Sequence, residues 1–272
     1  MRPTNLSPIL IATAVAICAA APLFAKVAAG PVAAALAAPH RSEADKARDQ
    51  YRHPAQTLAF FGLKPTMTVV EISPSGGWYT DILAPVLRDK GKLYAAHSNA
   101  AASPRAAQAV QTFKDRLAAT PAAFDKVSVT TFSKDVMNIA PAGSADMVLT
   151  FRNVHNWYIG GFAPQAFQTF FKALKPGGVL GIEEHRLPEA MADAMQTSSG
   201  YMKVSAVRKL AEDAGFTFVA ASKINANAKD THDYPKGVWT LPPNYAEGET
   251  DKAKYKAIGE SDRMTLKFVK PK

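Results

Sequence analysis

Residues 69–82 read VVEISPSGGWYTDI. Val69, Val70 and Ile72 are β-branched and apolar, which suits a short strand buried on both faces. Ser-Pro-Ser-Gly-Gly then breaks the run, and the helical spacing that resumes at Trp78 predicts a helix to about Arg88. Small residues in a strand-to-helix turn let backbone N–H groups approach a ligand, while a carboxylate at the strand end can take a hydroxyl or an amine. Glu71, Ser73, Ser75, Gly76 and Gly77 meet that requirement. Alone the pattern is unspecific, because a Gly pair in such a turn is also plain turn chemistry.

Outward from this turn, further strands are expected at 91–98, 127–133, 145–151 and 179–185, with helices at 105–118 and 164–174 and a KPGG turn at 175–178. Upstream, residues 42–63 read as a leading helix with a break at His53-Pro54, ending at Gly62. Strands alternating with helices at this spacing imply right-handed crossovers and a parallel sheet covered on both faces. VSAVRKLAEDAGFTFVAASKI adds a helix ending at Gly215 and a strand, and RMTLKFVK alternates as a strand suited to pair antiparallel with it. Between them, residues 225–250 are polar, Pro/Gly-rich and without period, which suits a lid or binding loop. His232, Tyr234 and Trp239 in that loop read as aromatic pins first, and Met191, Met195 and Met202 as core filler.

The N-terminus has the parts of an export signal: Arg2, an apolar run from Ile9 to Ala25, and small residues after it. Ala35-Leu36-Ala37 fits a cleavage site, giving a signal at 1–37 and a domain at 38–272, with Leu23-Phe24-Ala25 as an earlier, poorer match. A retained anchor is the alternative, but the run is Ala-rich and interrupted by Pro22. A lipoprotein is discounted because bulky Ile17 precedes Cys18. The chain has one cysteine in 272 residues, so cleavage leaves 272 − 37 = 235 residues and none. Disulfide scaffolds, thiolate metal sites and a Cys nucleophile are thereby excluded. Removing Arg2 and Lys26 takes the basic count from 32 to 30 against 23 acidic residues, lowering the net charge from +9 to +7. That excess is spread along the chain, which argues against nucleic acid and leaves room for a membrane surface or an acidic small molecule. Nothing in the sequence calls for an obligate protein partner.

Several separate stretches carry a family resemblance: EI-P-GGWYT-ILAP, LTFRN-HNW, LKPGG, GVWTLPP and ESDRM. Over residues 42–272 the chain resembles the class I S-adenosylmethionine-dependent methyltransferases, and more closely a group of exported predicted methyltransferases. The resemblance implies an α/β, Rossmann-like fold, with a seven-stranded mostly parallel sheet whose last strand is antiparallel, and S-adenosylmethionine over the first turn. It assigns the family's acidic-x-Gly-x-Gly-x-Gly turn to Glu71 through Gly77, with Ser73 and Ser75 replacing two glycines. It assigns the ribose position to His97 in place of the usual acid, and the acidic partner of the adenine amine to Asp135.

Methyl transfer from a sulfonium is an in-line displacement, so the protein positions the reactants and supplies a base for an acceptor that loses a proton. His155 follows the fourth strand, and Glu183, Glu184 and His185 close the fifth. Strand alternation puts Glu184 on the opposite side from Glu183 and His185. His155, Glu184 and His185 are the catalytic candidates. Arg152, Asn153, Asn156 and Trp157 form a polar and aromatic lip for an anionic or planar acceptor, with Asn153 also able to reach the cofactor. A rival grouping takes His97, His155 and His185, joined by His53 and by Glu71 or Glu184, as a metal site. No local metal-binding spacing supports it, so no metal is assigned. Two functions follow: an exported methyltransferase-like enzyme acting on a small molecule or envelope component, or a non-catalytic ligand- or metal-binding protein on the same fold.

Overall fold

The structure, a computed structural model, describes residues 30–272. The apolar run of the proposed signal and its earlier cleavage site lie outside the described residues. The described residues begin with four short helices, α1 (Pro31–Ala37), α2 (Glu43–Lys46), α3 (Asp49–Arg52) and α4 (Pro54–Phe61). The expected leading helix is thus in three pieces, because His53 takes a left-handed backbone and Pro54 restarts the helix. Then follow β1 (Thr68–Ile72), α5 (Thr80–Leu87), β2 (Lys92–His97), α6 (Pro104–Ala119), α7 (Pro121–Phe124), β3 (Val127–Phe132), β4 (Met137–Asn138) and β5 (Ala145–Phe151). The second half holds α8 (Val154–Ile159), α9 (Ala163–Ala173), β6 (Leu174–Leu187), α10 (Met195–Ser198), β7 (Met202–Lys203), α11 (Val204–Asp213), β8 (Thr217–Ser222), α12 (Lys252–Ile258) and β9 (Arg263–Val269).

The sheet runs β4-β3-β2-β1-β5-β6-β9-β8, with β7 beside β6. Seven of these strands form the expected sheet, and the two-residue strands β4 and β7 bring the total to nine. β9 runs antiparallel to both neighbours, so it pairs with β6 as well as with β8. The KPGG stretch is drawn into the start of β6, where the register slips between Ala145 and Met147.

The sheet is buried on both faces, as the apolar runs require. One core lies against α9, whose Ala163, Ala166, Phe167, Phe170 and Ala173 recur at helical spacing and are all buried. The other takes Leu58 and Phe61 of α4, Ile82 and Leu83 of α5, and Phe113 and Leu117 of α6. Ser103 caps α6 by accepting from the Ala106 N–H at 3.1 Å. Strand order reverses between β1 and β5, and in an open α/β sheet ligands bind at the carboxyl ends beside such a reversal. Among the described residues no helix is long and apolar enough to cross a membrane.

Candidate active site

The turn after β1 keeps a backbone that serine adopts reluctantly. Ser73 and Ser75 both have φ of 53°, and Gly77 has 88°. The left-handed region costs an ordinary L-residue about 1–2 kcal/mol. Both serines line a cavity of about 380 Å³ at the end of β1 and a second of about 430 Å³ facing α6. Gly76 lines both as well, whereas Gly77 faces Phe113 and Arg116 and lines neither. Ser73→Gly and Ser75→Gly are each expected to be neutral or stabilising by up to about 1 kcal/mol, because relief of strain outweighs the entropy gained by the unfolded chain. Urea unfolding of each variant checks this. A loss above about 1 kcal/mol would mean that the serine hydroxyls hold the turn.

Glu71 sits at the end of β1, 2 % exposed, and its Oε2 accepts from Thr80 Oγ1 at 2.6 Å. Burial pushes its carboxyl up from 4.5 to about 7, against the opposing effect of the Thr80 bond. The folded value lies above the unfolded one, so its favourable contribution is complete below pH 4.5 and is lost as pH rises through about 7. The full swing is about 3 kcal/mol. Glu71→Gln is therefore expected to flatten the stability profile and to melt above the parent protein at pH 8, but not at pH 4. Parallel melting curves at both pH values would refute it.

Two residues assigned to the cofactor do not reach it as expected. His97, buried at the end of β2, places Nε2 3.2 Å from Ser75 O, while its Nδ1 accepts from the Ser98 N–H at 2.8 Å. Burial lowers its pKa, so the ring is neutral with both nitrogens occupied and none is left for a ribose hydroxyl. Asp135 is exposed at the tip of the β3–β4 hairpin, closed by the Ser133 N–H bond to Val136 O, and lines none of the cavities around the turn. Above the end of β3, where a cofactor base was expected, Phe132 packs edge-on against buried Trp157. Asn153 does reach the site: Nδ2 donates to Ile72 O and Phe151 O, tying the ends of β1 and β5 together.

A further cavity of about 280 Å³ adjoins the first and is lined by His155, His185 and Trp239. His155 Nδ1 lies 2.9 Å from Glu184 Oε1. Against a carboxylate that nitrogen carries the proton, so Nε2 of a neutral ring is the acceptor. Glu184 is fully buried, and its oxygens also accept from the backbone N–H groups of Val154, His155 and His185. It orients His155 and has no oxygen left to act as a base, which corrects its assignment as a catalytic group. His185 Nδ1 meets Ser261 Oγ at 2.6 Å.

One ligand atom from each of His155, Glu184 and His185 lies within 4.8 Å of the others. His97 and His53 are not part of this group; His53 bonds Asn225 on the far side of α3. Burial, then His155, then Arg152, Arg263 and Arg52 hold His185 well below its ordinary pKa. The same guanidiniums oppose a metal cation here.

The residues that line both adjoining cavities include Arg48, Arg52 and Arg152 and no acid. Arg48 and Arg52 bond Glu260 at 2.7 and 3.0 Å, and Arg152 bonds Glu183 at 2.9 Å. Arg263 bridges the two carboxylates at 2.9 and 3.2 Å. Burial alone would raise Glu183, but Arg263 and Arg152 outweigh it and hold it below the ordinary range. Glu260 is likewise held at about 2 by Arg263 and Arg52 against burial. Both stay ionised, so Glu183 is structural and not a base. Sequence reasoning placed Arg152 at a lip for an anionic acceptor but missed Arg48, Arg52, Glu260 and Arg263, although the four-residue spacing of Arg48 and Arg52 was visible.

The loop at 225–250 is pinned. Asp230 accepts from Tyr201 Oη, the His232 N–H and the Asp262 N–H at 2.9, 3.0 and 2.7 Å, and Tyr234 packs edge-on against Tyr255. Trp239 does more than pin: it lies edge-on to His155, 5.9 Å between ring centres.

This fold is that of the class I S-adenosylmethionine-dependent methyltransferases. The chain is similar to the crystal structure of a SAM-dependent methyltransferase from Aquifex aeolicus, with TM-score 0.56 and 15% identity over 82% of this chain and 93% of that one. It is similar to a putative sarcosine dimethylglycine methyltransferase from Galdieria sulphuraria (TM-score 0.54, 14% identity, 82% and 84% covered). It also matches the [4+2]-cyclase SpnF (TM-score 0.54, 16% identity, 81% and 80% covered), so the fold by itself does not fix the reaction. No protein-family model and no curated protein matches the sequence.

Proposed function

We propose that this protein is an exported methyltransferase that uses S-adenosylmethionine on a small-molecule or envelope acceptor. The observation that carries the reading is the left-handed backbone at 73, 75 and 77 beside a cavity at the carboxyl end of β1. A strained turn retained twice over by serine, at the position where ligands approach this fold, is the mark of a working site. When bound, S-adenosylmethionine supplies an electrophilic methyl group on a sulfonium. The Ser73–Gly77 backbone and Glu71 suit its methionine half. The fit is confined to that half, since His97 and Asp135 do not serve the ribose and base. His155, oriented by Glu184, takes the proton that the acceptor loses.

A second reading, a ligand-binding protein on this fold, is favoured by the occupied nitrogens of His97 and the remote Asp135. Calorimetric titration with S-adenosylmethionine and S-adenosylhomocysteine separates the two. Saturable binding that weakens in Glu71→Ala supports the enzyme; absence of binding leaves the second reading.

Export rests on the N-terminal signal pattern. Helix α1 bears on where processing occurs: Ala35 is buried, Val32 and Leu36 pack on the core, and Arg41 donates to Leu36 O at 3.0 Å. Cleavage after Ala37 would strip that helix from α5, so we place the cut after Ala25. N-terminal sequencing of the exported protein is expected to begin at Lys26; a start at Ala38 would sink this placement.

A further inference from the structure

Where the two central cavities meet, positive charge exceeds negative. Arg48, Arg52, Arg152 and Arg263 face two carboxylates, Glu183 and Glu260, an excess of 4 − 2 = +2. The other charged groups bordering the turn-side cavity are Asp45, Glu71, and Asp81 with its partner Arg116. Asp45 and Glu71 are the acids there with no cation paired to them among the described residues, and neither borders the histidine-side cavity.

The guanidiniums also keep donors in hand. Among the described residues, Arg52 gives only Nε to an acceptor while its guanidinium lies 4.5 Å over the Trp78 ring, and Arg152 gives only Nη1. Nη2 of Arg48 is buried with no partner. Arg152 is further held in a left-handed backbone, φ 61°, by its N–H bond to Glu183 O at 2.6 Å. An ordinary side chain kept in that conformation beside a cavity is a mark of function. Crowding shows in the chemistry of Arg52, which burial and then Arg152 bring down to about 9.

We infer that the acceptor carries a compact oxyanion, a carboxylate or a phosphate, which Arg48, Arg52 and Arg152 bind between the turn and His155. Guanidinium forks match both groups in geometry and charge. The acceptor assignment rests on the methyl-transfer reading; the anion site does not. With the anion anchored there, a nucleophilic N–H or O–H on the same molecule would attack the donor's methyl carbon. The sulfur–carbon bond breaks with its electron pair going to sulfur, and the proton passes to His155 Nε2.

The test is calorimetric titration of the full protein with inorganic phosphate and, separately, succinate, alone and at saturating S-adenosylhomocysteine. Phosphate or succinate is expected to bind saturably, with affinity at least tenfold weaker in Arg48→Gln and Arg52→Gln and unchanged in the half-buried control Arg208→Gln, a residue that lines neither cavity. The stronger of the two anions identifies the headgroup. Affinity within about threefold when S-adenosylhomocysteine is present upholds the assignment to the acceptor. Competition between the two would give the arginines to the donor's own carboxylate and overturn it. Anion binding without S-adenosylhomocysteine binding upholds the anion site and removes the methyl-transfer reading. Equal affinity in all variants, or no binding of either anion to a protein whose circular dichroism is native, overturns the site itself.

Discussion

Glu183→Ala is expected to lower the unfolding free energy by about 3–5 kcal/mol, the usual consequence of removing one partner from a buried ion pair. Glu183 is fully buried and accepts from Arg152 Nη1, Arg263 Nη1 and Tyr79 Oη, each at 2.9 Å. Alanine would leave two guanidiniums facing each other with only Glu260 nearby and a phenol without its acceptor. Glu183→Gln keeps an acceptor and is expected to lose less. Urea unfolding of both variants checks the order. Added phosphate is expected to recover part of the loss in Glu183→Ala, since an anion between the arginines replaces the missing charge. A loss under about 1 kcal/mol would show that the four arginines do not depend on Glu183.

His155→Ala is expected to cut the methyl-transfer rate by about 10²–10⁴-fold on an acceptor that must lose a proton, the usual size of a general-base contribution. KM for the acceptor should change little, because the anion is held by other residues. Glu184→Ala acts through His155 and is expected to lower the same rate with little change in KM, since the imidazole loses the carboxylate that orients it. Single-turnover transfer from labelled S-adenosylmethionine measures both. A rate unchanged within threefold in His155→Ala removes this residue from the chemistry.

The strands were legible because each is a local signal. The runs at 68–72, 92–97, 127–132 and 145–151 are rich in β-formers and bounded by turn residues, and the structure places strands there within a residue or two. The alternation of Glu183 and Glu184 was legible for the same reason, and it sends one toward Arg152 and the other toward His155. Pairings distant in sequence were not. Arg48 and Arg52 meet Glu260 across more than 200 positions, and no local pattern announces that. The positions of His97 and Asp135 were read from a family pattern. The occupied ring nitrogens of one and the hairpin that carries the other depend on contacts that pattern does not encode. The left-handed serines show the reverse case: the residue types departed from the pattern while the backbone kept it.

The placement of β9 bears on how the chain is made. Residues 263–269 sit between β6 and β8, bonded to both, so one flank of the sheet has no middle until the final strand is synthesised. A ribosome releases the N-terminal portion long before that strand emerges, and the half-built sheet keeps an open edge along β6. The nascent polypeptide therefore completes this sheet only once residues 263–269 have emerged, and until then β6 and β8 have no strand to join them.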